Sequence, residues 1–154
     1  MANVKNVNGF EPYQFFGHTA FPMWHGKMKS NVACAIGDAL SCAGGYLYKG
    51  AGTGAAVGVA TTAITSNTTP QDVFFVPALA DIVFSGSYGS GTGMILSNSR
   101  MWSNARYLGN SGKMYLTNSG NSICRIIGIH GNYSLGYYAK ALFIFRQSAF
   151  TGQA

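Results

Sequence analysis

The side chains that could perform acid–base, nucleophilic or metal chemistry are few and scattered in this chain. An active site needs several titratable groups brought together in one place. Only four carboxylate side chains and three histidines are available, namely Glu11, Asp38, Asp72, Asp81, His18, His25 and His130. The sequence also lacks the GxSxG turn that presents a serine nucleophile. It therefore predicts a protein that is not an enzyme and has no catalytic residues.

Two glycine-rich segments and the cysteines could suggest a cofactor or a metal. The segments are Gly50–Gly54 and Gly89–Gly93, and neither is followed by the Gly-Lys-Ser/Thr of a phosphate-binding loop. Cys34 and Cys42 have neither CxxC spacing nor a matching histidine pair. We expect tight turns, no cofactor, no metal and cysteines that act as small buried hydrophobic residues.

The elements that position these residues have the pattern of short strands. Apolar runs of strand length alternate with clusters of Gly, Ser, Asn and Pro, which is typical of a sandwich or barrel. These runs include 73–76, 82–84, 94–96, 114–116, 123–129 and 141–145. The fold class predicted is all-β, with a single β-barrel or β-sandwich domain over residues 31–154.

Two of these runs, 73–76 and 141–145, are apolar at every position. A strand with one face in water should alternate between apolar and polar residues. We therefore expect both runs to be buried on both faces, against the core and against a neighbouring subunit or the chain's own N-terminal segment. Phe143 and Phe145 are the candidates for core or oligomer packing.

Residues 1–30 combine aromatic residues with asparagines and two prolines, Pro12 and Pro22. Because proline interrupts a helix, we predict an extended N-terminal arm. Two interpretations remain open: the arm contacts a partner, or it wraps the chain's own core. If the arm contacts a partner, removal of residues 1–25 should leave the core folded.

The composition favours an assembly subunit. Only 9% of the residues are charged against 47% hydrophobic and 14% aromatic, and a neutral, aromatic-rich surface favours association. The net charge of +6 reflects the small number of acidic residues. Apart from Lys27 and Lys29, the basic residues are spread along the sequence. We expect an acidic protein partner and no nucleic acid.

Neither a membrane helix nor a secretion signal is expected. No apolar stretch approaches the roughly 20 residues that a membrane-spanning helix requires, and the first residues, MANVKNVNGF, lack an apolar signal core. The expectation is synthesis in a reducing cytoplasm and no membrane partner.

Several short motifs, taken in their order along the chain, resemble a family of head decoration proteins of tailed phages. They are Gly9-Phe10 with Pro12-Tyr13, Ala35-Ile36-Gly37-Asp38, Asp81-Ile82-Val83-Phe84, Arg125-Ile126-Ile127-Gly128-Ile129 and Ala139-Lys140-Ala141-Leu142. The chain departs from the family in being basic and in having a shorter middle region.

The resemblance implies a virion structural protein on the outer capsid surface. It would bind the major capsid protein and cement neighbouring capsomers, as a homotrimer. The residues expected to contact the capsid are Lys5, Phe10, Tyr13, Phe15, Phe16, Trp24, Lys27 and Lys29, since aromatic side chains dominate interface energetics.

Two alternatives belong to other classes. One is a tail or fibre subunit of the same virion. The other is a receptor- or glycan-binding module, in which Trp24, Trp102, Tyr107 and Tyr133 would stack on sugars.

Overall fold

The computed structural model describes residues 3, 8–52, 54–90, 94–109, 112–118, 123–146 and 148–150. Within these residues the fold is all-β, as predicted, with a short 3-10 turn at Asn98–Arg100 and no α-helix. The strands are β1 (Glu11–Phe15), β2 (Trp24–Lys27), β3 (Ala39–Ala43), β4 (Tyr46–Lys49), β5 (Gly58–Ala60), β6 (Asp72–Pro77), β7 (Ile82–Ser87), β8 (Asn104–Leu108), β9 (Tyr115–Asn118), β10 (Cys124–Ile129) and β11 (Lys140–Phe145).

The strands form two antiparallel sheets. The larger sheet has the order β1-β7-β11-β10-β8-β9, and the smaller sheet has the order β2-β6-β5-β3-β4. One hydrophobic cluster unites them, because Ala39, Val59 and Val76 of the smaller sheet pack in the same core as the inward residues of the larger one. The arrangement is that of a β-sandwich.

The smaller sheet curls until its two outer strands meet. Met28, directly after β2, forms a parallel bridge with Leu47 in β4, and the Lys29 amide donates to the Leu47 carbonyl at 2.7 Å. A second hydrophobic cluster fills the space inside, with Met28, Leu47 and Phe75 among its members. Gly26 lies where a Cβ atom would come within 2.8 Å of Leu47 Cδ1, so only glycine fits this narrow curl without displacing Leu47.

The core of the larger sheet is aromatic. Phe84, Phe143 and Phe145 pack as tilted or edge-to-face pairs with ring centroids 5.1–6.0 Å apart. Such pairs add to the stability that burial of their area provides. Phe143 and Phe145 are therefore core residues in the folded chain.

Residues 8–30 are extended, and they pack on the chain's own sheets. β1 pairs with β7 at the edge of the larger sheet, and β2 pairs with β6 at the edge of the smaller one. Phe10 is only 2% exposed, and its amide donates to the Gly37 carbonyl at 2.8 Å. The described part of the segment therefore wraps the chain's own core, and contact of its exposed side chains with a partner stays a prediction. Residues 8–30 and the core thus form one packed unit.

Burial of the two continuous apolar runs differs from the expectation. Val73, Phe75 and Val76 are buried, but Phe74 is 43% exposed. In β11, Leu142 and Ile144 are only partly buried. The chain itself therefore leaves Phe74 uncovered, and burial of that face against a neighbouring subunit stays a prediction.

Candidate functional site

Each histidine packs against aromatic rings. His18 stacks on Phe15 with ring centroids 3.9 Å apart, and His25 lies 5.6 Å from Phe74. Among the described residues, no three His, Cys, Asp or Glu side chains come close enough to hold a metal ion. These contacts give the imidazoles packing roles.

The buried carboxylate of Asp38 has a structural role. Its two oxygens accept hydrogen bonds from the backbone amides of Ala35, at 2.9 Å, and Gly112, at 2.7 Å. It thus joins the start of β3 to the loop before β9. A buried carboxylate satisfied by backbone amides is stable without a metal or substrate.

The residues expected to contact a partner fall into separate groups. Tyr13, Phe16 and Trp24 are 41%, 52% and 45% exposed. Lys27 and Lys29 are also exposed, Phe15 is half-buried, and Lys5 lies outside the described residues. Phe10 is wrong as a surface contact, because its ring fills the core between Phe143 and Tyr107.

One group surrounds β1 and is named here the β1 surface: Glu11, Tyr13, His130, Tyr133 and Lys140. A bulge falls between Pro12 and Gln14, at Tyr13, whose ring lies 5.0 Å from His130. His130 in turn lies 5.5 Å from Tyr133. Bulges re-aim side chains at sheet edges, and this one lies where the edge strand meets the loop after β10.

Lys140 contacts two other residues of the β1 surface. Its ammonium lies 3.8 Å from a Glu11 carboxylate oxygen and 5.8 Å from the centre of the Tyr133 ring. The lysine is almost fully buried, while Glu11 is exposed. The Asn3 side chain bonds the nearby loop, donating to the carbonyls of Ser134 and Tyr137 and accepting from the Ser134 amide. The β1 surface is thus a fixed aromatic patch.

A second set of exposed side chains lies on the two faces of β2: Trp24 lies opposite the buried Phe75, whereas His25 and Lys27 lie opposite the exposed Phe74 and Asp72. The Trp24 and Phe150 rings meet edge-to-face at 4.8 Å. The Lys27 ammonium pairs with Asp72 at 2.9 Å, with both groups about half exposed, so that pair contributes little to stability. Exposed aromatic rings therefore lie on each face of β2, and Lys29 is an exposed cation two residues beyond the strand.

An open cleft of about 440 Å³ lies between the 3-10 turn and the end of β9. Its lining includes Tyr88, Met94, Ser97, Arg100 and Asn118. Burial raises the pKa of the Tyr88 phenol, and the nearby Arg100 charge partly opposes that rise. The cleft thus offers hydroxyl and guanidinium groups beside apolar ones.

The residues expected to stack on sugars are only partly accessible. Trp24 and Trp102 are exposed and Tyr133 is half-buried, but Tyr107 is fully buried. Tyr107 is therefore wrong as a sugar contact. It alternates inward along β8 and packs against Phe145.

No helix in the described part of the chain has the length and apolar character needed to cross a bilayer. The sequence matches no family model and no curated protein, and no solved structure matches its fold.

Proposed function

We propose that this chain is a non-enzymatic structural subunit of a phage virion. It binds the outer surface of the capsid as an oligomer, with a trimer as the expected state, and cements neighbouring capsomers through contacts with the major capsid protein. The proposal begins from the ordered motifs that resemble head decoration proteins and from the low charge content of 9%.

One observation supports it most directly: the N-terminal segment supplies an edge strand to each sheet, and both edges carry exposed aromatic side chains. Tyr13 and Phe16 lie at the β1 edge, and Trp24 lies on β2. The edge strand β1 presents unpaired backbone groups that can add to another chain, whereas the end of β2 already meets β4. Aromatic side chains beside such an edge are the usual anchors of an interface.

Binding of this kind stabilises a shell through linkage. A subunit that binds the assembled lattice and not the dissociated capsomers shifts the equilibrium toward the lattice. An oligomer strengthens weak individual contacts by effective concentration.

The test mixes purified protein with expanded empty heads and images the product. We expect symmetric decoration by the wild type. The triple variant Y13A/F16A/W24A should bind at least about 30-fold more weakly, since hot-spot residues contribute 2 kcal/mol or more. The control variant I36A/I95A removes exposed apolar groups elsewhere and should bind normally. Wild-type protein that ignores heads, or a triple variant that decorates them fully, would reject the proposal.

The cleft beside Arg100 favours a second candidate, a receptor- or glycan-binding module of a tail or fibre. Its mixture of hydroxyl, amide and guanidinium groups with apolar side chains suits a small polar ligand. A glycan array probed with wild-type and R100A protein tests it. Binding that the variant loses would favour this candidate over the capsid proposal.

A further inference from the structure

Three arginines that are far apart in sequence meet on the outer face of the larger sheet. Arg125 in β10 lies opposite Asn104 in β8 and Ile144 in β11. Arg106 is two residues beyond Asn104, and Arg146 is two residues beyond Ile144. Since side chains two apart on a strand point to the same face, Arg106 shares a face with Asn104 and Arg125. Arg146 follows the end of β11, and its hydrogen bond to Asn104 places its guanidinium on that face, so the three residues are named here the arginine face.

The register brings these side chains close together. Arg106 and Arg146 are both diagonal neighbours of Arg125, and such neighbours on adjacent strands lie about 7–8 Å apart. Arg146 also reaches across β10, where its Nη1 donates to Asn104 Oδ1 at 2.7 Å. The residues that alternate with them, including Ala105, Cys124 and Phe145, point into the core.

Three of the four carboxylate side chains have partners away from this face: Glu11 lies beside Lys140, Asp72 pairs with Lys27, and Asp38 binds backbone amides. The fourth, Asp81, is exposed just before β7, at the end of that strand toward which Arg146 also lies. In the described part of the chain, neither ion pair includes an arginine.

Two of the guanidinium groups are also partly removed from water. The Nε atoms of Arg106 and Arg125 are buried and have no hydrogen-bond partner among the described residues. A charged group that is partly desolvated and unpaired is costly. An incoming carboxylate would supply the missing opposite charge, and carboxylates form short, charge-assisted hydrogen bonds with arginine.

An exposed tryptophan adjoins the arginine face. Trp102 is 68% exposed and holds a φ of 63°. Its amide donates to the carbonyl of Ile126, the neighbour of Arg125, at 2.8 Å. Tryptophan and arginine are among the side chains most enriched in interface hot spots, and here an exposed tryptophan is bonded through its backbone to the strand that carries Arg125.

We propose that the arginine face docks a carboxylate-rich segment of a protein partner. A second copy of this chain does not fit, since its net charge is +6 and it brings no free acidic patch. A nucleic acid requires a longer basic track, whereas Lys27 and Lys29 lie at the smaller sheet and do not extend this face. The proposal is independent of whether the partner is a capsid.

The test uses the whole chain and a fluorescein-labelled octaglutamate peptide, with binding followed by fluorescence anisotropy. The triple variant R106Q/R125Q/R146Q should bind the peptide at least about tenfold more weakly. Loss of even one charge-assisted hydrogen bond to a carboxylate lowers the binding affinity by about that factor. The control variant K27Q/K29Q/K113Q loses the same net charge at exposed lysines and should stay within about twofold of wild type. R125K keeps the positive charge but loses the planar guanidinium, so its affinity for the peptide should lie between those of the triple arginine variant and the lysine control.

Circular dichroism of each variant measures whether it is folded. If the triple arginine variant does not fold, R146Q alone alters the exposed member of the face and should weaken binding about threefold. Equal losses in the arginine and lysine variants would overturn the proposal, as would a peptide that does not bind at low salt. A single-stranded oligonucleotide of equal charge that binds more tightly than the peptide, and loses binding in the arginine variant, would also overturn it in favour of a nucleic acid.

Discussion

The ring of Phe10 packs edge-to-face against the ring of Phe143, with centroids 5.0 Å apart, in the centre of the larger sheet. Gly86 lies directly against the Phe10 ring, where any Cβ atom would collide with it. A residue near the N-terminus therefore completes a core formed by strands from the C-terminal half. This contact makes the N-terminal segment part of the folding unit.

Replacement of Phe10 by alanine should destabilise the protein strongly. The ring is almost fully buried, and loss of a buried phenylalanine costs about 3–5 kcal/mol in the free energy of unfolding. Phe16 is the matched control, because its ring is largely exposed and F16A should change stability by less than about 0.5 kcal/mol. Urea denaturation followed by fluorescence measures both, and similar losses in the two variants would contradict the packing role of Phe10.

Removal of residues 1–25 should prevent folding, in contrast to the behaviour of a detachable arm. The truncation removes β1, Phe10 and half of β2, which uncovers the edge of β7, opens a cavity beside Phe143 and disturbs the curl of the smaller sheet. Exposed strand edges also promote aggregation. Size-exclusion chromatography and circular dichroism of the truncated chain measure this, and a monomeric β-rich product would show that the segment is dispensable.

The apolar runs predicted part of the fold correctly and missed other parts for identifiable reasons. The runs at 73–76, 82–84, 123–129 and 141–145 coincide with β6, β7, β10 and β11. β8 was missed, because only Ala105 and Tyr107 point inward while Asn104 and Arg106, which alternate with them, point outward. Its signal is alternation, which is weaker than a continuous apolar run.

The surfaces were harder to predict than the strands. Tyr13, Phe16 and Trp24 are exposed, but composition alone did not distinguish them from Phe10, whose burial depends on the close approach of Gly37 and Gly86. The arginine face arises from the register of three strands at positions 106, 125 and 146. No local pattern contains that register, so the face could not be found without a structure.

Replacement of Gly58 by alanine should destabilise the smaller sheet. A Cβ atom there would collide with the carbonyl oxygen of Val76 on the adjacent strand, and overpacking of this kind costs about 1–3 kcal/mol. Gly131 is the control, since a Cβ atom there meets nothing within 4 Å. Thermal unfolding of G58A and G131A should show a lowered midpoint for the first only, and an unchanged midpoint for G58A would contradict the tight strand contact.

The three cysteines should differ sharply in reactivity. Cys42 is exposed, whereas Cys34 and Cys124 are buried. Burial raises the pKa of the Cys34 thiol to about 11 and that of Cys124 well above its ordinary value, which leaves little of the reactive thiolate. Titration with a chromogenic disulfide should therefore label one thiol in the folded protein and the remaining two after denaturant is added. The C42S variant should show no rapid labelling, and rapid labelling of that variant would contradict the burial of the other two.

The same raised pKa values should make the protein less stable as the pH rises above 9. The ordinary pKa of the Cys34 thiol is 9.0 and its folded value is about 11, so between these values the unfolded chain releases the proton while the folded chain retains it. Stability falls with pH wherever the folded state binds more protons. Cys124 acts in the same direction, and Tyr88 and Tyr107, whose pKa values burial also raises, add to the fall above pH 10. The midpoint of thermal unfolding should drop steadily from pH 9 to pH 11. The drop should be shallower in C34A, because that variant lacks the Cys34 thiol and its contribution to the pH dependence. Equal slopes in the two proteins would show that Cys34 does not contribute.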